Sequence, residues 1–187
     1  MIDLSSNKRF FDRYTIFELV AIAVVAALGV ATKPIVVPLV HIITGPLFIP
    51  GGAIAGGFYM LWIILGIGFV KKTWTGTLIG LVQGLIVVAT GVIGSHGVLS
   101  IFSYTLPGVV ADLVFMFSRN KSYNLIHFML GCMAANITGT IISNLLFFRL
   151  PAEMLLLLIS GAALSGALGG VIAWNLLKAL DKLGLNL

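Results

Sequence analysis

The chain reads as long apolar runs separated by short clusters of charge and turn-forming residues. A helix that crosses the hydrocarbon core of a bilayer needs about 20 mostly apolar residues. Six segments meet this requirement: 15–32, 52–70, 75–93, 98–118, 124–148 and 152–177. Charge closes three of them, at Lys71 and Lys72, at Arg119 and Lys121, and at Arg149 ahead of Pro151. The tail 178–187 is amphipathic. The opening residues 1–13 are polar and lack the apolar core and cleavage site of a signal peptide, so they read as a cytoplasmic lead-in. The pattern predicts an all-α membrane protein with six transmembrane helices, forming one membrane domain over 1–187.

The stretch 33–51 breaks the pattern. It is apolar, yet Pro34, Pro38, Pro46 and Pro50 punctuate it. Proline removes a backbone donor and clashes with the preceding turn, and lipid cannot satisfy the carbonyls that are freed. The expectation is a long apolar external loop between helices 1 and 2, acting as a lid or binding loop.

Charge fixes the orientation. With six spans, Lys8, Arg9, Arg13, Lys71, Lys72, Arg119, Lys121, Lys178 and Lys182 fall on one side, and Lys33 and Arg149 on the other. Cytoplasmic loops carry the excess of Lys and Arg, so both termini are expected in the cytoplasm. A seven-span reading destroys this bias.

Composition agrees. Hydrophobic residues make up 59% of the 187 residues and charged residues only 9%, well below the roughly 25% that a soluble domain carries. The net charge of +5 is scattered at the ends of apolar runs, and no basic stripe with interleaved aromatics points to nucleic acid. Cys132 lies mid-run and reads as a small packing residue.

Little reactive chemistry is present. The chain has no GxxxxGK[ST] phosphate loop, no HExxH and no Cys/His cluster at metal-ligand spacing. His41, His96 and His127 are scattered. No enzyme, metal centre or cofactor is expected. Asp112 is the one carboxylate well inside a span, and such a residue is a functional candidate; a structural role near the cytoplasmic end is the stronger reading. Neutral polar and aromatic groups gather toward the outer half. Asn136, Thr140, Ser143 and Asn144 share one face of the fifth helix. Ser100, Ser103 and Tyr104 open the fourth, after a loop holding His96. Gln83 lies in the third span, and Tyr59 and Trp62 in the second. The loop adds His41, Thr44 and Phe48. The candidate substrate-binding set is therefore His41, Phe48, Tyr59, Gln83, His96, Tyr104, Asn136, Thr140 and Asn144. Helix–helix hydrogen bonding is the competing reading for each. A pocket built this way suits an uncharged aromatic heterocycle.

Small residues recur at steps of four, which lets helix backbones approach closely in lipid. In the sixth span these are Gly161, Ser165 and Gly169, with Ala162, Gly166 and Gly170, and internal packing is expected. In the first span Ala23, Ala27 and Ala31 form a face suited either to internal packing or to another membrane protein.

Taken with the six spans and the long first external loop, the alanine face resembles that of the substrate-binding S component of an energy-coupling factor (ECF) vitamin transporter. The segment GPLFIPGGAIAGGFYMLWIILG, beginning at Gly45, resembles the bacterial branch linked to cobalamin-precursor or thiamine-related uptake. The resemblance implies capture of a small vitamin or precursor in an outward-facing pocket. It also implies docking, through the alanine face, on a transmembrane coupling subunit that carries two ATPases. α-Ribazole is the leading substrate expectation, with thiamine or its pyrimidine precursor as the alternative. A self-sufficient secondary transporter is the competing function, although it would need a coupling-ion site and usually internal repeats.

Overall fold

The computed structural model describes residues 14–47, 51–91, 97–118 and 123–185. Phe48 and His96 lie outside these residues. Six helices make up the bundle: α1 (Ile16–Thr44), α2 (Gly51–Val70), α3 (Thr75–Thr90), α4 (Leu99–Met116), α5 (Leu125–Ser143) and α6 (Ala152–Lys182). A single 3₁₀ turn, Gly45–Leu47, follows α1, and a wider π turn, Asn144–Phe148, extends α5. Five of the helices are long and apolar enough to cross a membrane, and α3 is a shorter apolar helix. The protein is a multi-pass membrane protein, as the apolar runs predicted.

The proline-rich stretch corrects the expectation of a long loop. α1 does not stop near residue 32; it continues through Pro34 and Pro38 to Thr44. At 1.5 Å per residue, these prolines lie about 27 and 33 Å along the helix. That is near or beyond the limit of a hydrocarbon core about 30 Å thick. Both are exposed on one face, four residues apart. The carbonyls they free are those of Val30 and Pro34, and α1, with 29 residues and a length of about 43 Å, outreaches the hydrocarbon core. The link to α2 shrinks to residues 45–50.

α2 is the hub, packing against each of the other five helices. It is buried along nearly its whole length, from Gly51 to Val70. Glycine makes that possible. A Cβ on Gly57 would lie 1.9 Å from the Ser165 carbonyl oxygen, and one on Gly169 would lie 2.2 Å from that of Gly57. α2 and α6 thus meet backbone to backbone. The other small-residue row of α6 faces α5: a Cβ on Gly166 would lie 2.6 Å from Cα of Met133, and one on Gly170 would lie 2.5 Å from the Phe128 carbonyl oxygen. Internal packing, as the four-residue steps predicted for α6, is what these rows do.

Asp112 has a structural task. Its carboxylate accepts from the Gly76 and Thr77 amides at 2.9 and 2.7 Å, and from the Thr77 hydroxyl at 2.7 Å. Trp74 precedes α3 in a left-handed conformation and offers no side-chain cap. Orphan N–H groups at a helix start need an acceptor, and a negative charge there also favours the helix dipole. Asp112 supplies both from α4. At the same end of the bundle, Lys72 pairs with Glu18 at 2.6 Å, and the Tyr14 hydroxyl donates to the Thr73 carbonyl. These contacts tie the start of α1 to the α2–α3 turn. His127 is half-buried and closes a capping box with Asn124 at the start of α5, in keeping with an interfacial position.

Candidate functional site: a cavity at the end away from the termini

The bundle opens at the end opposite residues 14 and 185. A cavity of about 340 Å³ lies there, within the roughly 300–1,000 Å³ range of small-molecule pockets. The outer half of α1 forms one wall with Lys33, Val37 and His41. The first turns of α2 form the next, and α3 contributes Gln83. Ser103 and Tyr104 come from α4. The polar face of α5, from Asn136 to Asn144, closes the far side, with Leu158 of α6.

Seven of the nine residues predicted from the sequence line this cavity: His41, Tyr59, Gln83, Tyr104, Asn136, Thr140 and Asn144. Lining a cavity does not leave a side chain free to bind, and the α5 stripe shows the difference. The Asn136 amide donates to the Ala53 carbonyl at 3.0 Å and to the Ala162 carbonyl at 2.9 Å. It clamps α2 to α6 under the cavity floor. The Thr140 hydroxyl donates back to the Asn136 carbonyl, and Asn144 Oδ1 accepts from the Leu150 amide. The Tyr59 hydroxyl donates to the Gly52 carbonyl at 2.5 Å. Much of the polar chemistry in the wall therefore holds the wall together.

Two groups are not used in this way. The Tyr104 hydroxyl and Gln83 Nε2 are buried and find no hydrogen-bond partner among the described residues. Leaving a buried donor unpaired costs about 1–3 kcal/mol. Gln83 Nε2 occupies the notch left by Gly29, where a Cβ would come within 2.1 Å of it, so α1 and α3 close tightly beneath it.

Lys33 was not singled out from the sequence. It lies on α1 rather than in a loop, and its Nζ sits 3.8 Å from the Tyr104 ring centroid and 4.3 Å from that of Tyr59. Two such contacts are worth about 0.5–2 kcal/mol each. Withdrawing an ammonium from water costs several kcal/mol, so the rings offset only part of that cost. No carboxylate lies within ion-pair distance of Lys33 among the described residues, and no Asp or Glu is in the lining. The connecting segments 48–50 and 92–96 contain neither residue.

The small-residue face of α1 lies elsewhere. Ala23, Ala27 and Ala31 are all exposed, with Val20, Val24 and Leu28 around them. They do not pack against any other described part of the chain.

Residues 17–138 match the family described as the ABC-type cobalt transport system, permease component. The chain belongs to this family. No curated protein matches its sequence. The solved structure described as "Crystal structure of an S-component of ECF transporter" is similar in fold. Its TM-score is 0.73 at 19% identity, covering 92% of this chain and 88% of that one. The chain therefore has the fold of an ECF S component and belongs to a family of transport proteins rather than enzymes. Cobalt in the family's description finds little echo in this cavity. His41 is the one His, Cys, Asp or Glu in its lining among the described residues, and no group of three such residues able to hold a metal ion occurs among them.

Proposed function

We propose that this chain is the substrate-capture (S) component of an ECF-type ABC importer, with both termini in the cytoplasm. It takes up a small organic molecule at the outer end of the bundle and hands it to a transmembrane coupling subunit powered by two ATPases. The observation that carries this reading is the cavity itself: pocket-sized, lined by residues of all six helices and placed away from the termini in a fold shared with an S component. The sequence has no phosphate loop of its own, which suits a division of labour with separate ATPases. An ammonium in the wall disfavours a bare metal cation as cargo, and it equally disfavours cationic thiamine. Neutral α-ribazole, the vitamin precursor expected from the sequence, meets no such repulsion but leaves the charge of the ammonium unanswered.

Affinity purification of the tagged full-length chain from gently solubilised membranes of its host tests the assembly. The expected result is co-purification of one membrane subunit and ATPase subunits carrying phosphate-loop motifs. Substrate uptake by the chain alone in proteoliposomes, driven by an ion gradient and without ATPases, would replace this reading with a secondary transporter.

A further inference from the structure

We propose that the molecule captured in this cavity carries an oxyanion, a carboxylate or a phosphate, seated on the Lys33 ammonium between the Tyr59 and Tyr104 rings. The inference rests on the reading of the chain as a substrate-capture component, and it names the chemical class of the substrate. Among the described residues, Lys33 is the one Lys or Arg in the lining, and no Asp or Glu in the lining balances it. Two aromatic faces hold the ammonium in place, 3.8 and 4.3 Å away, and leave its N–H donors in need of an acceptor. The Tyr104 hydroxyl belongs to one of these same residues. It is buried, at 6% exposure, and has no partner among the described residues. An ammonium and a lone hydroxyl donor in one wall call for a ligand that brings negative charge and several acceptor lone pairs. A neutral heterocycle would satisfy the hydroxyl but not the charge. A cationic ligand would add to the imbalance. The rest of the lining, including Val37, Met60, Ile63 and Leu158, is apolar and accepts the uncharged body of the same molecule.

The probe is the small-molecule fraction of yeast extract, incubated with the purified full-length protein. What the protein retains is identified by mass spectrometry after denaturation. Parallel arms use Lys33→Met, Lys33→Arg and Tyr104→Phe, each checked for a native helical spectrum, and extract pretreated with alkaline phosphatase. The expected retained molecule bears a carboxylate or phosphate. Retention should fall by about thirtyfold or more in Lys33→Met, as expected when one partner of a buried, hydrogen-bonded charge pair is removed. It should be partly restored in Lys33→Arg and weakened in Tyr104→Phe. Loss of retention after phosphatase treatment identifies a phosphate ester, and persistence identifies a carboxylate. Retention of a neutral or cationic molecule overturns the inference but leaves substrate capture standing, as does an anion held equally well by Lys33→Met. If Lys33→Met fails to fold, the Lys33→Arg and Tyr104→Phe arms and the identity of the molecule held by the wild type still decide. If the wild type retains nothing, substrate capture itself fails.

Discussion

Replacing Ala27 with Trp should reduce substrate uptake by the assembled transporter to background while leaving substrate binding to the isolated chain unchanged. Ala27 sits between Ala23 and Ala31 on α1, and all three are exposed. A row of small side chains on an outward face lets a second helix approach closely. An indole there holds that helix away. The neighbours Val20 and Val24 are 55% and 52% exposed, so the surface is broad and none of the described residues covers it. The new side chain displaces no internal packing, and surface changes of this kind usually alter stability by no more than about 0.5 kcal/mol. Ala27 also lies six residues before Lys33, about 9 Å lower along the axis, and does not line the cavity. Uptake in cells expressing the whole transporter, set beside binding to the purified variant, separates the two effects. Unchanged uptake would mean that this face meets lipid alone.

The second large effect concerns folding. Gly57→Ala should destabilise the bundle by about 3 kcal/mol, the upper end of the usual range for overpacking. The added methyl group would lie 1.9 Å from a backbone oxygen of Ser165, which cannot rotate away as a side-chain tip can. α2 and α6 must separate. Separation also stretches the bond from the Gly57 amide to the Ser165 hydroxyl, and the two bonds by which Asn136 clamps Ala53 and Ala162. Gly161→Ala is the control on the same pair of helices. A Cβ there meets only Ile54 Cγ1 at 3.7 Å, an ordinary contact, and stability should change little. Unfolding of the two variants in graded denaturing detergent gives the comparison. Equal stability would show that the α2–α6 contact is looser than described.

The lipid-crossing architecture was legible because apolar length is a direct physical requirement for a span. So was the packing role of α6, since small residues at steps of four have few other uses in a helix. The proline-rich stretch reads as a loop in the sequence because proline is costly in hydrocarbon. Pro34 and Pro38 stand in the outer half of a helix 29 residues long, which outreaches the hydrocarbon core. That misreading also hid Lys33. As a loop residue it was only an external charge. On a helix, in an apolar run, an ionisable residue is a functional candidate by default, and that signal was in the sequence. The α5 stripe was placed correctly on the cavity wall. Its hydrogen bonds were not legible, because the carbonyls of Ala53 and Ala162 that Asn136 engages come from distant parts of the chain.

Native mass spectrometry of the full-length protein, purified from cells grown in rich medium, tests the central claim most directly. The wild type should carry one small organic molecule per chain. Ser143→Trp, which places an indole in the cavity from the last residue of α5, should appear as the bare chain with an unchanged helical spectrum. A bare wild type, or a bound molecule that survives in Ser143→Trp, would contradict capture at this site.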